Sequence, residues 1–309
     1  MPPNSSIIIT GASGSLGAAI ALQLTALYPQ KYHLILAARN ISSSHSEALS
    51  QKLTAANAPY TWERVDLASF ASISSFTNRI QLGLERGQVR PLHGLVNSAA
   101  INNIPVSKTE DGFDTIYETN VLAPVLLTKK LAPLMKGGVV VNITTVAHEL
   151  GEAGYFRERK SDLDKELGTE LGLKDMLKKY GSSKLLLIMA GYSLQREDSF
   201  RDIKVISLDV GGMTGESRLA PKMPLVLKVS MHVLNFMRPL ANMFNPATIN
   251  PPEVPAKAIA EVLGDSEKAI GGGHYILDKV AESNAISRDE EKQTENMKEI
   301  TSDLGKWVQ

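Results

Sequence analysis

The chain has 309 residues, 43% of them hydrophobic and 21% charged, close to globular averages and unlike a disordered or fibrous chain. Lys and Arg number 33 and Asp and Glu number 33, so the formal charge is zero; with no basic stripe, nucleic acid is not an expected partner. Cysteine is absent, which excludes disulfides, thiolate metal sites and a cysteine nucleophile, and fits a reducing, cytoplasmic setting.

A secretory leader needs a basic region ahead of its apolar stretch, and the first basic residue is Lys31, so no leader is expected. No transmembrane segment is expected either, since no uncharged apolar run reaches the ~18 residues a span requires. The nearest candidate, Met223–Phe244, is broken by Lys228, His232 and Arg238.

In chain order, strands are predicted at Ser6–Thr10, His33–Ala37, Thr61–Val65, Gly94–Asn97, Gly138–Thr144, Lys204–Leu208 and Gly273–Leu277. Most are continuous apolar blocks, the pattern of strands buried on both faces. Helices are predicted at Leu16–Leu27, Ser46–Asn57, Ser69–Glu85 and Tyr180–Arg196, with a last one at Asp289–Trp307 in the polar tail 279–309. Strand and helix alternate at about 30 residues per unit, which makes βαβ units and a parallel sheet. No linker long enough to separate two domains is present, so residues 1–309 read as one domain. Two segments stand outside the alternation: a polar stretch at 149–179 and an apolar, Met-rich stretch at 215–252.

The first strand runs into Thr10-Gly11-Ala12-Ser13-Gly14-Ser15-Leu16-Gly17. Glycines between a first strand and a helix let the backbone approach a pyrophosphate, while the helix N-terminus supplies free N–H groups and a positive dipole end. The expected fold is therefore a single Rossmann-type, doubly wound α/β domain with a seven-stranded parallel sheet and helices on both faces. Arg39 follows Gly17 by 22 residues at the end of the second strand, where an acid would bond a ribose hydroxyl. An arginine there suits a 2′-phosphate, so the expected cofactor is NADPH/NADP.

With these residues the chain resembles the short-chain dehydrogenases/reductases, and further motifs follow in that family's order. Asp66-Leu67 follows the third strand, and Asn97-Ser98-Ala99-Ala100 follows the fourth and resembles an Asn-Asn-Ala-Gly signature. Asn120 lies in the next helix, Asn142-Ile143-Thr144-Thr145 ends the fifth strand, and Tyr180-Gly181-Ser182-Ser183-Lys184 matches a Tyr-x-x-x-Lys pair. The resemblance covers Ile7 to about Thr214. It implies a catalytic set of Tyr180, Lys184, Thr145 and Asn120, with Asn120 holding a water that relays protons to Lys184. The cofactor contacts it implies are Gly11, Ser13, Gly14, Ser15, Leu16, Gly17, Arg39, Asp66, Leu67, Asn97, Ser98, Ala99, Tyr180, Lys184, Gly211 and Thr214. The chain departs from the family pattern at the middle glycine of the turn, at Ser98 and Ala100, at Thr145 in place of Ser, and at Val210 in place of Pro before Gly211.

Tyr180 and Lys184 are four apart and share one helix face. A neighbouring ammonium favours tyrosinate, which tunes a phenol toward proton donation near neutral pH. The six histidines show no paired metal spacing, so no metal is expected; His148, three residues after Thr145, is within reach of a substrate but is expected on solvent in a loop.

Thr145 and Tyr180 are 35 residues apart, more than in most of the family, so 149–179 reads as an insertion. Leu163, Leu167, Leu171 and Leu173 suggest short amphipathic helices there. The insertion is read as covering part of the cleft, as masking a surface that relatives use to dimerise, or as a solvated loop. Residues 215–252 fall where the family places its substrate loop. Val226, Val229, Val233, Met237 and Leu240 suggest a lid over an apolar cleft, with core packing and a weak peripheral membrane contact as competing readings. The expected function is NADPH-dependent reduction of a ketone on a bulky apolar substrate such as a polyketide, terpenoid or steroid, in specialised metabolism, by a monomer or homodimer. Two other readings stay open: an NADP-dependent alcohol dehydrogenase, and a dinucleotide-binding protein with a non-redox or regulatory role.

Overall fold

A computed structural model describes residues 3–102, 105–213 and 249–308. All seven predicted strands form: β1 (Ser5–Thr10), β2 (Tyr32–Ala38), β3 (Tyr60–Arg64), β4 (Leu92–Asn97), β5 (Met135–Thr144), β6 (Lys204–Asp209) and β9 (His274–Ile276). They are parallel, in the order β3-β2-β1-β4-β5-β6-β9. The crossover from β3 back past β1 to β4 is the reversal of strand order that opens a crevice at the carboxyl ends.

The expected count of seven is corrected to eight in the main sheet among the described residues. The chain reverses after β9 and β10 (Lys279–Ala281) pairs antiparallel with it. Leu277, at φ 56°, makes the reversal. Three residues that include a lysine give too short a pattern to read as a strand. A separate two-stranded parallel ladder joins β7 (Gly212–Met213) to β8 (Ile249–Asn250). The proposed lid lies outside the described residues except at 249–252.

Both faces of the inner strands are buried, which is why they read as continuous apolar runs. Ile7 and Ile9 face one core with Leu34, Leu36, Val139 and Val141, against α1 (Ser15–Leu27), α2 (Ser44–Ala55) and α9 (Glu253–Gly264). Ile8, between them, faces the other core with Ile35, Leu95, Val140 and Val205. That face is covered by α3 (Phe70–Glu85), α5 (Ala123–Leu131), α8 (Leu173–Arg196) and α10 (Glu290–Leu304). Ser43 caps α2 and Ser69 caps α3, each accepting a backbone N–H from three residues on. Ahead of α5, α4 (Thr115–Tyr117) and a π-turn (Glu118–Leu122) run on as one helical stretch.

The 149–179 segment contains α6 (Tyr155–Arg159), α7 (Leu163–Glu166) and the first two turns of α8, which begins seven residues before Tyr180. Leu163 is buried, whereas Leu167 and Leu173 are exposed. The segment is seated on the α4 region and α10. Phe156 stacks on Tyr117 with ring centroids 4.9 Å apart, and Arg157 pairs with Glu295 at 2.6 Å. The C-terminal helix belongs to the same core: Asn296 Nδ2 donates to the Leu186 carbonyl in α8 at 3.2 Å.

Candidate active site

The glycine turn leaves the end of β1 bare. Gly11 sits at φ +64°, and a Cβ there would lie 2.8 Å from Ala99 Cα. A Cβ on Gly17 would meet the Gly11 carbonyl at 2.5 Å. Helix α1 starts with Gly14 as its cap, no capping side chain and no acid in its first turn. Its dipole end is therefore unneutralised and faces the crevice. Leu16 is buried in the core, so only its backbone can serve a ligand. Thr10 Oγ1 accepts the N–H groups of Ser98 and Ala99 at 3.0 and 3.1 Å, locking the β4 exit beside the turn. Asn97 itself is buried and donates to Asn142 Oδ1 at 2.9 Å, tying β4 to β5.

Arg39 is exposed beyond the end of β2. The β2–β3 register pairs Ala38 with Arg64, so a second exposed guanidinium stands at the same edge; only the strand pairing could have revealed it. Asp66 is half-buried and accepts the Ala68 N–H at 3.0 Å, while the Leu67 side chain is in the core. Ser13 is buried with Ser15 following it at the start of α1. Thr214 lies outside the described residues.

Helix α8, the end of β5 and the π-turn bring the four expected catalytic residues to one place. Lys184 is 2% exposed; its Nζ donates to the Ile143 carbonyl at 2.9 Å and lies 5.6 Å from the centre of the half-buried Tyr180 ring. Burial brings the Lys184 ammonium down to about 8, with the Asp209 carboxylate opposing that fall. Burial, aided by Asp209, pushes the Tyr180 phenol up to about 12. Thr145 is half-buried with Oγ1 3.5 Å from the Gly211 carbonyl, whereas Thr144 is 1% exposed with its hydroxyl turned inside. Asn120 is buried. Its amide donates to the Ile101 carbonyl (2.9 Å) and to Ser183 Oγ (3.1 Å), and its Oδ1 accepts the Ile101 N–H (2.9 Å). The side chain is thus a latch between the β4 exit and the Tyr180–Lys184 turn. Both amide hydrogens are thereby committed, so any water held by this residue would meet an acceptor oxygen, Oδ1 or the main-chain carbonyl.

One group at the site, Asp209, escaped the sequence reading, and another, His148, is placed differently from it. His148 is 3% exposed, not on solvent as expected: its Nδ1 lies 2.9 Å from the Thr145 carbonyl and 3.9 Å from Asp209 Oδ2, and its Nε2 3.2 Å from Glu149. Asp209, also 3% exposed, ends β6 and accepts the Gly211 N–H at 2.7 Å. Polar residues at the end of an apolar strand and inside a loop carry no sign of burial in sequence. Among the described residues, no cluster of three or more His, Asp or Glu gathers as a metal site, and no helix is long and apolar enough to cross a membrane.

Residues 5–156 match the family model described as short chain dehydrogenase. Retinol dehydrogenase 13 of Mus musculus is 28% identical over 190 residues, 60% of this chain and 52% of that protein. Polyprenol dehydrogenase of Homo sapiens is 28% identical over 201 residues, 63% of this chain and 56% of that protein. The chain thus spans about half the length of the curated relatives it matches. In fold it is similar to L-sorbose reductase from Gluconobacter frateurii, solved with NADPH and L-sorbose, at a TM-score of 0.63 and 17% identity over 91% of this chain and 98% of that one. The chain belongs to the short-chain dehydrogenase/reductase family. The glycine turn follows β1 and the Lys184 ammonium lies against the end of β5, both at the carboxyl ends of the parallel strands.

Proposed function

We propose that this protein is an NADPH-dependent reductase that converts a ketone on a bulky apolar substrate to an alcohol, with Tyr180 as proton donor. The observation that carries the reading is the placement of the Lys184 ammonium, anchored on the Ile143 carbonyl, 5.6 Å from the Tyr180 ring centre. An ammonium there stabilises the developing tyrosinate as the phenol gives up its proton. The half-buried Thr145 hydroxyl would hydrogen-bond the substrate oxygen and fix its approach. NADPH, when bound, supplies the hydride.

The residues present fit a dinucleotide. The Gly11–Gly17 turn presents no side chain at its glycines and ends in an uncapped helix N-terminus free of acids. Arg39, with Arg64 at the same edge, supports the phosphorylated cofactor. The bulky apolar substrate class draws support from relatives named for retinol and polyprenol, both lipophilic alcohols. Those names are of dehydrogenases, which favours a second reading in which the same residues run the oxidation, Tyr180 then taking the proton.

Calorimetric titration with NADPH and then NADH tests the cofactor reading. Tight NADPH and weak NADH binding is expected, with Arg39→Asp inverting the ratio of dissociation constants. An unchanged ratio removes Arg39 from the argument, and no binding of either removes the redox reading. Rates with apolar ketones and with the matching alcohols then decide the direction.

A further inference from the structure

Between α4, α6 and α10 lies a cavity lined by none of the catalytic or cofactor residues named above. It has about 30 Å³ of room for water-sized groups, two or three positions at roughly 10–15 Å³ each. That is too little for a bulky substrate and enough for a small head group. Four rings wall it: Phe113 and Tyr117 on the α4 side, Tyr155 and Phe156 from α6. Tyr117, Tyr155 and Phe156 are all more than nine-tenths buried. The negative face of an aromatic ring attracts a cation. Two of these rings already carry one: the Arg159 guanidinium lies 4.1 Å from the centre of Tyr155, and Lys160 Nζ 5.5 Å from that of Phe113.

The charges that line the cavity do not balance. Asp114, Glu166, Glu299 and Asp303 face only Arg159, Lys160 and Lys179, which leaves one acid in excess. The three cations are committed to partners of their own. Lys179 is paired with Asp114, Lys160 with Asp303, and Arg159 Nη1 donates to the Tyr155 carbonyl at 3.5 Å. Among the described residues, the side chains of Glu166 and Glu299 make no hydrogen bond or ion pair. Glu299 is half-buried in α10, where burial and the Asp303 carboxylate one turn on push its carboxyl above the ordinary range. Arg157 and Lys160 oppose that rise, but each is already paired, Arg157 with Glu295 and Lys160 with Asp303.

We propose that this cavity is a second ligand site, for a small organic cation: an alkylammonium head group seated against the aromatic walls and donating to the Glu299 carboxylate, with its alkyl chain leaving through the mouth. An anion would meet the excess of acid, and a neutral ligand would leave Glu299 without a counter-charge. The bound cation would bridge the 149–179 segment and the C-terminal helix.

The test is an NMR titration of the full chain, without nicotinamide cofactor, with n-butylammonium chloride at constant ionic strength. Saturable shifts are expected at the backbone amides of α4, α6 and α10, with a dissociation constant on the order of 1 mM. 1-Butanol, the uncharged counterpart, should bind at least about tenfold more weakly. Glu299→Gln should weaken n-butylammonium binding at least about tenfold, and Phe156→Leu, which keeps the site apolar but removes a ring, by about threefold. No saturation by about 20 mM, equal affinity for 1-butanol, or unchanged affinity in either variant overturns the proposal. Glu299 is partly exposed on a helix, so its substitution by Gln spares the fold; if Phe156→Leu loses cooperative melting, Glu299→Gln and 1-butanol decide the matter. The site shares no residue with the Tyr180–Lys184 pair, so neither result bears on the reductase reading.

Discussion

No side chain separates Gly151 from Gly181. A Cβ on Gly151 would lie 2.7 Å from the Gly181 carbonyl carbon, and one on Gly181 would lie 2.1 Å from the Ala147 carbonyl oxygen. The loop that follows Thr145 is therefore pressed backbone-to-backbone on the turn of α8 that carries Tyr180. Gly181→Ala adds helix propensity worth about 1 kcal/mol, but the steric clash is with backbone, and overpacking of this kind costs about 1–3 kcal/mol. The loop must retreat by roughly an ångström, and a displacement of that size at a reacting group costs up to ~100-fold in rate. The expected outcome is a lower Tm and a kcat reduced ten- to a hundredfold, with NADPH affinity changed by no more than a few-fold. Equal losses in cofactor affinity and kcat would mean that the whole helix, not the Thr145 loop, has moved.

Tyr180→Phe keeps the ring and removes only the phenolic proton. General acid catalysis contributes typically ~100- to 10,000-fold, so turnover should fall by at least about a hundredfold. NADPH binding, measured by titration, should persist. Turnover within a few-fold of the unmodified protein would end the proton-donor role and favour a non-redox use of the cleft.

The inner parallel strands were legible because a strand buried on both faces must be apolar throughout; Ile7, Ile8 and Ile9 serve two different cores in succession, whereas the edge strand β3 has no buried residue. The Tyr180–Lys184 pair was legible because a spacing of four fixes a shared helix face. The early start of α8 was not. Its first two turns carry Lys174, Asp175, Lys178 and Lys179, a composition that reads as solvated. Lys179 is buried only because Asp114, 65 residues earlier, reaches it at 2.5 Å. The same holds for Asp209 and His148: each is buried because of groups on other elements, and no local pattern records such partners. The β10 hairpin strand depends on a single reversal at Leu277.

Lys184 should be a stability liability that function retains. Its folded-state value is about 8 against the ordinary 10.5, so the folded protein releases this proton at lower pH than the unfolded chain does. The ammonium therefore destabilises the fold below pH 8, and stability returns as pH rises from 8 to 10.5. Lys184→Met is expected to abolish turnover and to stabilise the protein at pH 7 by about 1–3 kcal/mol, several degrees in Tm. The stability difference should shrink by pH 10. Thermal melts at the two pH values check this, and a Tm that falls in the methionine variant at pH 7 would show that the Ile143 hydrogen bond outweighs the desolvation.

Glu118 makes the opposite contribution. It is fully buried in the π-turn, where Oε2 accepts from the Thr109 hydroxyl and the Asp111 carboxyl lies within hydrogen-bond reach. Burial, joined by the nearby Asp111 carboxylate, pushes its carboxyl from 4.5 up to about 8 against the Thr109 hydrogen bond. The folded protein thus holds this proton through a range in which the unfolded chain has lost it. The resulting stability is fully present below pH 4.5 and is lost progressively as pH rises to about 8. The full loss from this group is at most about 5 kcal/mol, given 1.36 kcal/mol per pH unit. Glu118→Gln keeps a neutral acceptor for Thr109 and removes the titration. Denaturant melts at pH 5.5 and pH 8.5 should show a stability decline in the unmodified protein that is markedly flatter in the glutamine variant. Above pH 8 the variant should be the more stable of the two. Parallel declines would assign the loss to other groups and leave Glu118 ionised in the folded state.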